Sequence, residues 1–344
     1  MRQPTFALGT FERPEGGSMA GLVIGERIFD LAPHLGPGVS VRALLDDWDR
    51  NLDRLQDLAE GLADQEGDHR LGTLPTRPPL LPPGQLFLSG ANYRQHVIEL
   101  VLAERRSAST QSEDELRAQI AAEIEQRVVS GRPYVFLGLP SSICGPYDDV
   151  VLPNDGEQHD WELELAVVIG RRARHVPREE ALGYVAGYTI CNDITTRDRV
   201  FRADLPSIGT DWLHAKNAPT FYPTGPLLVP APFVPDPMGL RITLRLNGQL
   251  MQDATTGDMI FGIDRLIEHV SAITQLQPGD LLLTGSPAGN GVRWRRFLRP
   301  GDVMEGEITG LGVQRNRCVA ESRLSADGPR AGRRDEPRPA RAGP

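Results

Sequence analysis

Residues 160–170 read Asp160-Trp161-Glu162-Leu163-Glu164-Leu165-Ala166-Val167-Val168-Ile169-Gly170. Polar and apolar residues alternate at the start, and an apolar run follows. In a β-strand alternate side chains share a face, so Glu162 and Glu164 lie side by side while Trp161, Leu163 and Leu165 face the other way. A second apolar strand over 184–190 runs into Cys191-Asn192-Asp193. Further on, Pro278-Gly279-Asp280 and Pro300-Gly301-Asp302 each precede an apolar run, which predicts turns feeding strands of a mainly antiparallel sheet. Two helices interrupt the strands. Ser112 and Glu115 make a capping-box pattern, with Leu116, Ile120, Ile124 and Val128 following at steps of four and Gly131 and Pro133 as the stop. Leu266, Ile267, Val270 and Ile273 predict one face of a helix over 264–276. The fold class is therefore α+β, mainly β, over residues 81–321. Residues 1–80 form a small N-terminal domain with short strands at 5–9, 21–24 and 27–30 and a helix over 41–62. Five prolines in 73–83 predict a stiff extended connector.

The chain has 344 residues, 40% hydrophobic and 24% charged, an ordinary globular balance that excludes wholesale disorder. A net charge of -9 argues against a nucleic-acid partner, whose binding surface is basic. No apolar run approaches the roughly 18 residues of a membrane helix. The N-terminus carries no apolar signal core, and Cys144, Cys191 and Cys318 form no CxxC pair, so a cytoplasmic protein with reduced cysteines is expected. Residues 322–344 are Pro, Gly, Arg and Ala with little to bury, and a disordered tail is expected there.

Of 37 basic residues only Lys216 is lysine. Where arginine serves as the general cation, a retained lysine suggests a need for a compact ammonium close to an oxyanion. Glu162 and Glu164 repel unless a proton or a cation sits between them. Their all-oxygen chemistry suits Mg²⁺, Mn²⁺ or Ca²⁺ rather than zinc, and Asp193 at a strand end adds a third carboxylate. Arg197 and Asp198 are placed for a local ion pair. In Gly90-Ala91-Asn92-Tyr93-Arg94-Gln95-His96, a helix puts His96 and Glu99 at i and i+3, where a carboxylate orients an imidazole as general base. Thr284 and Gly285 lie in a small-residue loop able to turn backbone N–H groups toward an anion. His159 precedes the carboxylate strand, and the other histidines form no metal pattern.

Together these motifs resemble the fumarylacetoacetate hydrolase family. GANYRQHVIE, RPYVFL, SSICGPYDDVVLP, DWELELAVVIGR, YVAGYTICNDITTRD, DWLHAK, TGPLLV, LTGSPAG and LRPGDVMEGEITGLG occur in the family's order between about residues 85 and 317. The resemblance implies a mixed β-sandwich roll, a homodimer, and a divalent cation, Mg²⁺ or Mn²⁺, held by Glu162, Glu164 and Asp193. It implies that Lys216 is the pocket lysine and that Thr220 lies close behind the metal. It further implies that His96 and Glu99 form a lid dyad, and that Arg197 and Thr284 contact substrate oxygens. The activity implied is hydrolysis of a C–C bond in a β-diketo acid through a metal-chelated enolate. The alternative on the same scaffold is a 2-oxo acid decarboxylase, isomerase or hydratase.

The sequence departs from the family pattern at three positions. Val200 stands where a glutamine is frequent, Gly138 where lysine is frequent, and Pro219 where aspartate is common. Residues 101–131 form a long helical insertion behind His96, which predicts an extended lid helix. A less polar or bulkier substrate than acylpyruvate is expected.

Overall fold

The structure is a computed structural model that describes residues 5–105, 111–207 and 209–322. The tail expected over 322–344 lies outside the described residues, apart from its first. The alternating stretch forms the strand Leu163–Ile169, buried throughout. It sits inside a six-stranded sheet ordered Val229–Pro230, Val185–Asn192, Leu163–Ile169, Leu281–Leu283, Leu86–Gly90, Tyr134–Gly138. Its two neighbours are antiparallel to it, whereas Leu281–Leu283 runs parallel to Leu86–Gly90, so the sheet is mixed. Covering both faces explains why the strand's second half is continuously apolar.

Those two faces pack on different layers. Leu163, Leu165 and Val167 join Ile242, Leu244, Met304 and Ile308 in one apolar cluster. The latter residues belong to a five-stranded sheet ordered Gln249–Thr255, Arg241–Leu246, Val303–Ile308, Gly312–Ala320, Val150–Leu152. The sheets approach closely at Gly306, where a Cβ would lie 2.5 Å from Leu163 Cδ1. On the opposite face Ala166 and Val168 pack with Phe6, Leu8, Leu22 and Trp48. The N-terminal segment thus has its own five-stranded sheet but shares its core with the main one. The proline-rich connector supplies an edge strand, Thr76–Arg77, paired to Ala7–Glu12. An edge is where missing proline N–H groups are tolerated. The helix expected over 41–62 is interrupted. It forms as Val41–Leu44, a tight turn at Leu45–Asp47, and Trp48–Leu62, with Asp47 outside helical geometry at φ -139°.

The helices around His96 follow their sequence signals closely. Ser112 and Glu115 close a capping box at the start of Glu113–Ser130, and Leu116, Ile120 and Ile124 are buried. This helix runs beside Arg94–Arg105, joined by the pairs Arg94–Glu125 and Arg105–Glu123. The insertion therefore adds a second helix against Arg94–Arg105 rather than one extended helix. The helix Ile263–Ile273 buries Leu266, Ile267 and Val270, but Ile273 is exposed. No helix among the described residues is long and apolar enough to cross a membrane. All three cysteines are free and buried.

Both Pro-Gly-Asp turns form as expected, with Gly279 at φ 87° and Gly301 at φ 96°. In each, the aspartate amide bonds back three residues (Asp280 to Gln277, Asp302 to Arg299). Each aspartate carboxylate also accepts the amide of that same residue, from Gln277 at 2.8 Å and from Arg299 at 2.7 Å. Asp302 additionally holds Arg296 and Asn247. Burial pushes its carboxyl up, but the Arg296 guanidinium, the Asn247 amide and the Arg299 N–H outweigh this and hold it below the usual range. A carboxyl depressed by folding stabilises the protein above its unfolded pKa and loses that contribution as acid protonates it. Asp302→Ala is expected to destabilise by about 1–3 kcal/mol at neutral pH. Denaturant melts should show the gap from wild type narrowing below the ordinary carboxylate range, and equal melts at neutral pH would contradict the assignment.

Candidate active site

Strand alternation and one strand end bring the three carboxylates together. Glu162 and Glu164 share a face, and Leu163 pairs with Asn192, so Asp193 leaves its strand beside Glu162. The Asp193 amide donates to the Glu162 carbonyl at 2.9 Å. Ligand oxygens of Glu162, Glu164 and Asp193 lie within 4.8 Å of one another, all buried. Lys216 ends the short helix Trp212–Lys216, whose first turn is capped by Asp211. Its buried ammonium donates to Glu162 Oε2 at 2.5 Å and to Asp193 Oδ2, and lies 5.7 Å from the centre of the Phe136 ring.

The remaining oxygens are held by side chains and loops. Glu162 Oε1 accepts from Arg197 at 2.5 Å and from Asn290 at 3.0 Å. Glu164 Oε2 accepts the Gly285 amide at 2.7 Å. Gly285 has φ 96°, and a Cβ there would lie 2.9 Å from Asn92 Cβ, so the close turn requires glycine. Arg197 also donates to Asp160 Oδ2 at 2.8 Å, and Asp160 accepts the Gly291 amide at 2.5 Å.

Four buried carboxylates (Asp160, Glu162, Glu164, Asp193) thus face two cations, the buried Lys216 and the partly buried Arg197. The proton affinities show the shortage of positive charge. Burial, together with the charges of Asp193 and Glu162, holds Glu164 well above the usual range. Burial pushes Asp193 up to about 7 despite Lys216. Glu162 is the exception, because Arg197, Lys216 and His96 outweigh its burial and hold it low. Asp193 Oδ1 is buried without a hydrogen-bond partner. Two uncompensated negative charges, an orphaned carboxylate oxygen and an all-oxygen donor set fit a hard divalent cation.

The structure brings His96, Glu162, Glu164, Asp193, Arg197, Lys216 and Gly285 to one place; Glu99 lines the same cavity as His96, and Thr284 adjoins Gly285. His96 is buried; burial pushes its imidazole down to about 4, with Glu162 opposing and Arg197 and Lys216 assisting. Among the described residues no hydrogen bond joins it to Glu99. Glu99 instead faces Arg293 Nε at 3.3 Å, so the expected dyad is not formed. The Thr220 hydroxyl accepts the Val151 amide at 2.8 Å, and the carbonyl of the next residue, Phe221, accepts the Ile194 amide beside Asp193. The Thr284 hydroxyl donates to the Leu165 carbonyl at 3.0 Å and is spent within the sheet. The local Arg197–Asp198 pair gives way to Asp160 and Glu162, and Asp198 accepts the amides of Glu157 and Gln158. His159 bonds Thr196 at 3.0 Å.

Sequence reasoning missed Asp160 and Asn290. Asp160 opens the alternating stretch, but its partner Arg197 lies 37 residues away with Asp198 as the nearer apparent partner. Asn290 lies in a Gly-Asn-Gly run that reads only as a turn. A cavity of about 260 Å³ is lined among others by His96, Glu99, Arg117, Arg293 and Arg295 and by Asn290, which bonds Glu162.

A mixed-sheet sandwich with this acidic cluster and a single pocket lysine is the pattern of an enzyme family. Residues 85–319 match the family model described as fumarylacetoacetate (FAA) hydrolase C-terminal, and the chain belongs to the fumarylacetoacetate hydrolase family of hydrolases, isomerases and tautomerases. Among curated relatives, fumarylacetoacetate hydrolase domain-containing protein 2 of Pongo abelii is 44% identical over 199 residues, covering 57% of this chain and 62% of that protein. Oxaloacetate tautomerase FAHD2B, mitochondrial, of Homo sapiens is 43% identical with the same coverage. The matched stretch therefore spans less than two thirds of these relatives. Among solved structures, one described as a probable 2-hydroxyhepta-2,4-diene-1,7-dioate isomerase from Mycobacterium abscessus is 30% identical with a TM-score of 0.69, covering 92% of this chain and 99% of that one. Maleylpyruvate hydrolase from Sphingobium sp. SYK-6, in complex with manganese(II) ion and pyruvate, is 28% identical with a TM-score of 0.68, covering 92% and 100%.

Proposed function

We propose that this site interconverts the keto and enol forms of a 2-oxo acid, with Glu162, Glu164 and Asp193 holding Mg²⁺ or Mn²⁺. The observation that carries this choice over C–C hydrolysis is that Glu99 Oε1 faces Arg293 and its Oε2 is buried without a partner, so no hydrogen bond joins Glu99 to His96 among the described residues. Attack by water on a carbonyl calls for an oriented base, whereas tautomerisation needs only a stabilised enolate and a proton carrier. The relatives named oxaloacetate tautomerase support the same reading.

A divalent ion at these carboxylates supplies Lewis-acid charge to the substrate's oxygens. Lys216 places a second positive charge where an enolate oxygen develops, in a site from which water is largely excluded. Its bonds to Glu162 and Asp193 fix the ammonium before substrate arrives. His96, neutral at physiological pH, offers a ring nitrogen to accept and return a proton. Arg197 and Asn290 hold Glu162 in a single orientation.

C–C hydrolysis is the second reading, because His96 and Glu99 line the same cavity. The test is a comparison on the purified protein with Mn²⁺. Ketonisation of enol oxaloacetate is followed by loss of enol absorbance, and acylpyruvate cleavage by release of pyruvate. Accelerated ketonisation with little pyruvate is expected. Acylpyruvate cleavage faster than ketonisation would give the site to the hydrolase reading.

A further inference from the structure

The carboxylates of the site are held unequally. Glu162 accepts from the side chains of Arg197, Lys216, Asn290 and Thr195. Among the described residues Glu164 accepts one hydrogen bond, from the Gly285 amide at 2.7 Å. The carbonyl of that same peptide group belongs to Thr284, and it accepts Asn92 Nδ2 at 2.8 Å. In a trans peptide the C=O and N–H point in opposite directions, so Asn92, the peptide and Glu164 form one line of hydrogen bonds. In a buried setting each bond of such a line polarises the next.

The direction of that line is fixed by what else Asn92 touches. The residue is 1% exposed. Its Nδ2 also donates to the Phe261 carbonyl at 3.0 Å, and its Oδ1 accepts the Phe261 amide at 2.9 Å. Turning the side-chain amide over would set its N–H groups against an N–H and its oxygen against two carbonyls. The Asn92 backbone carbonyl accepts the Ile260 amide at 2.7 Å. The insertion closes around the same point. Arg127, on the helix Glu113–Ser130, donates to the Ala91 carbonyl at 2.7 Å and lies 5.1 Å from the centre of the Phe261 ring. Ala91 has φ 50°, a left-handed conformation that a non-glycine residue keeps only where its surroundings impose it.

We infer that Asn92 is a positioning residue for Glu164, aiming the Thr284–Gly285 peptide at its carboxylate, and that Arg127 of the insertion fixes the turn that carries Asn92. This rests on the reading that the three carboxylates hold a divalent ion, and not on the choice between tautomerase and hydrolase. Glu164 then meets the ion with its carboxylate already oriented. The insertion gains a task, that of bracing the metal site from outside. Partners that orient a ligand side chain in this way are typically worth about ten- to a hundredfold in metal affinity.

The test is calorimetric titration of Mn²⁺ into the EDTA-stripped full chain, with thermal melts of each variant beside it. Asn92→Ala should bind Mn²⁺ about tenfold or more weakly than wild type. Asn92→Ser leaves a hydroxyl for the Phe261 amide but is one bond shorter toward Thr284. It should lose affinity alike, and it keeps the test open if alanine prevents folding. Arg127→Gln should weaken binding in the same direction by less. The matched control is Asn316→Ala. Asn316 is equally buried and also holds two backbone carbonyls, those of Gly145 and Asp148, but it has no bond toward Glu164. That variant should lose stability and keep wild-type affinity. Wild-type affinity in the folded Asn92 variants, or an equal loss in Asn316→Ala, would overturn the inference. Wild-type affinity in Arg127→Gln would remove the insertion from it. A wild-type chain that binds no Mn²⁺ would instead remove the metal reading on which it rests.

Discussion

Lys216→Met is expected to lower kcat by about a hundred- to thousandfold, the usual consequence of removing one preorganised donor from a developing oxyanion. Methionine keeps most of the side chain's length and apolar body, so packing against Phe136 and Trp212 survives. What goes is the only ammonium among four buried carboxylates. Without a divalent ion the variant should also lose stability, on the order of 3–5 kcal/mol, because a buried charge cluster has lost one partner. Added Mn²⁺ should restore much of the stability but little of the rate, since the cation can neutralise Glu162 and Asp193 without occupying the lysine's position. Lys216→Arg should not rescue the rate. A planar fork does not fit where a compact ammonium bridges Glu162 Oε2 and Asp193 Oδ2. Single-turnover rates and melts with and without Mn²⁺ check this; a kcat within tenfold of wild type would remove Lys216 from the chemistry.

Asp160→Ala should be the most destabilising single change outside the metal set, by about 3–5 kcal/mol. Asp160 is fully buried, and its two oxygens hold the Arg197 guanidinium and the amides of Gly291 and Val292. Removing it leaves Arg197 with Glu162 alone and frees the turn that carries Asn290, Arg293 and Arg295. Substrate affinity should therefore fall along with stability. Asp160→Asn keeps an acceptor for the Gly291 amide but loses the charge opposite Arg197, and should be intermediate. Denaturant unfolding and KM measured together provide the check. A loss below about 1 kcal/mol would mean that Glu162 alone suffices to hold Arg197.

Much of this site was visible in the sequence where chemistry follows local rules. Strand periodicity put Glu162 and Glu164 on one face, and the apolar strand ending at Asn192 delivered Asp193 beside them. The lone lysine was found by counting. Both Pro-Gly-Asp turns and the Ser112–Glu115 cap follow from the residues themselves. What failed was long-range partnering. Asn290 meets Glu162 across 128 residues, and nothing near Glu99 announces that Arg293 will claim it. Thr220 and Thr284 occupy the expected sequence positions, yet their hydroxyls are taken by backbone groups of neighbouring strands. The break at Leu45–Asp47 shows the same limit within a helix, where packing of Leu44, Leu45 and Trp48 into the shared core overrides continuity.

The most direct test is oxaloacetate ketonisation by protein stripped with EDTA, dialysed, and then titrated with Mn²⁺ or Mg²⁺. The account predicts loss of turnover on stripping and its return at one bound ion per chain, with Asp193→Asn and Glu164→Gln failing to recover. Full activity in the stripped protein, or recovery in both variants, would contradict it.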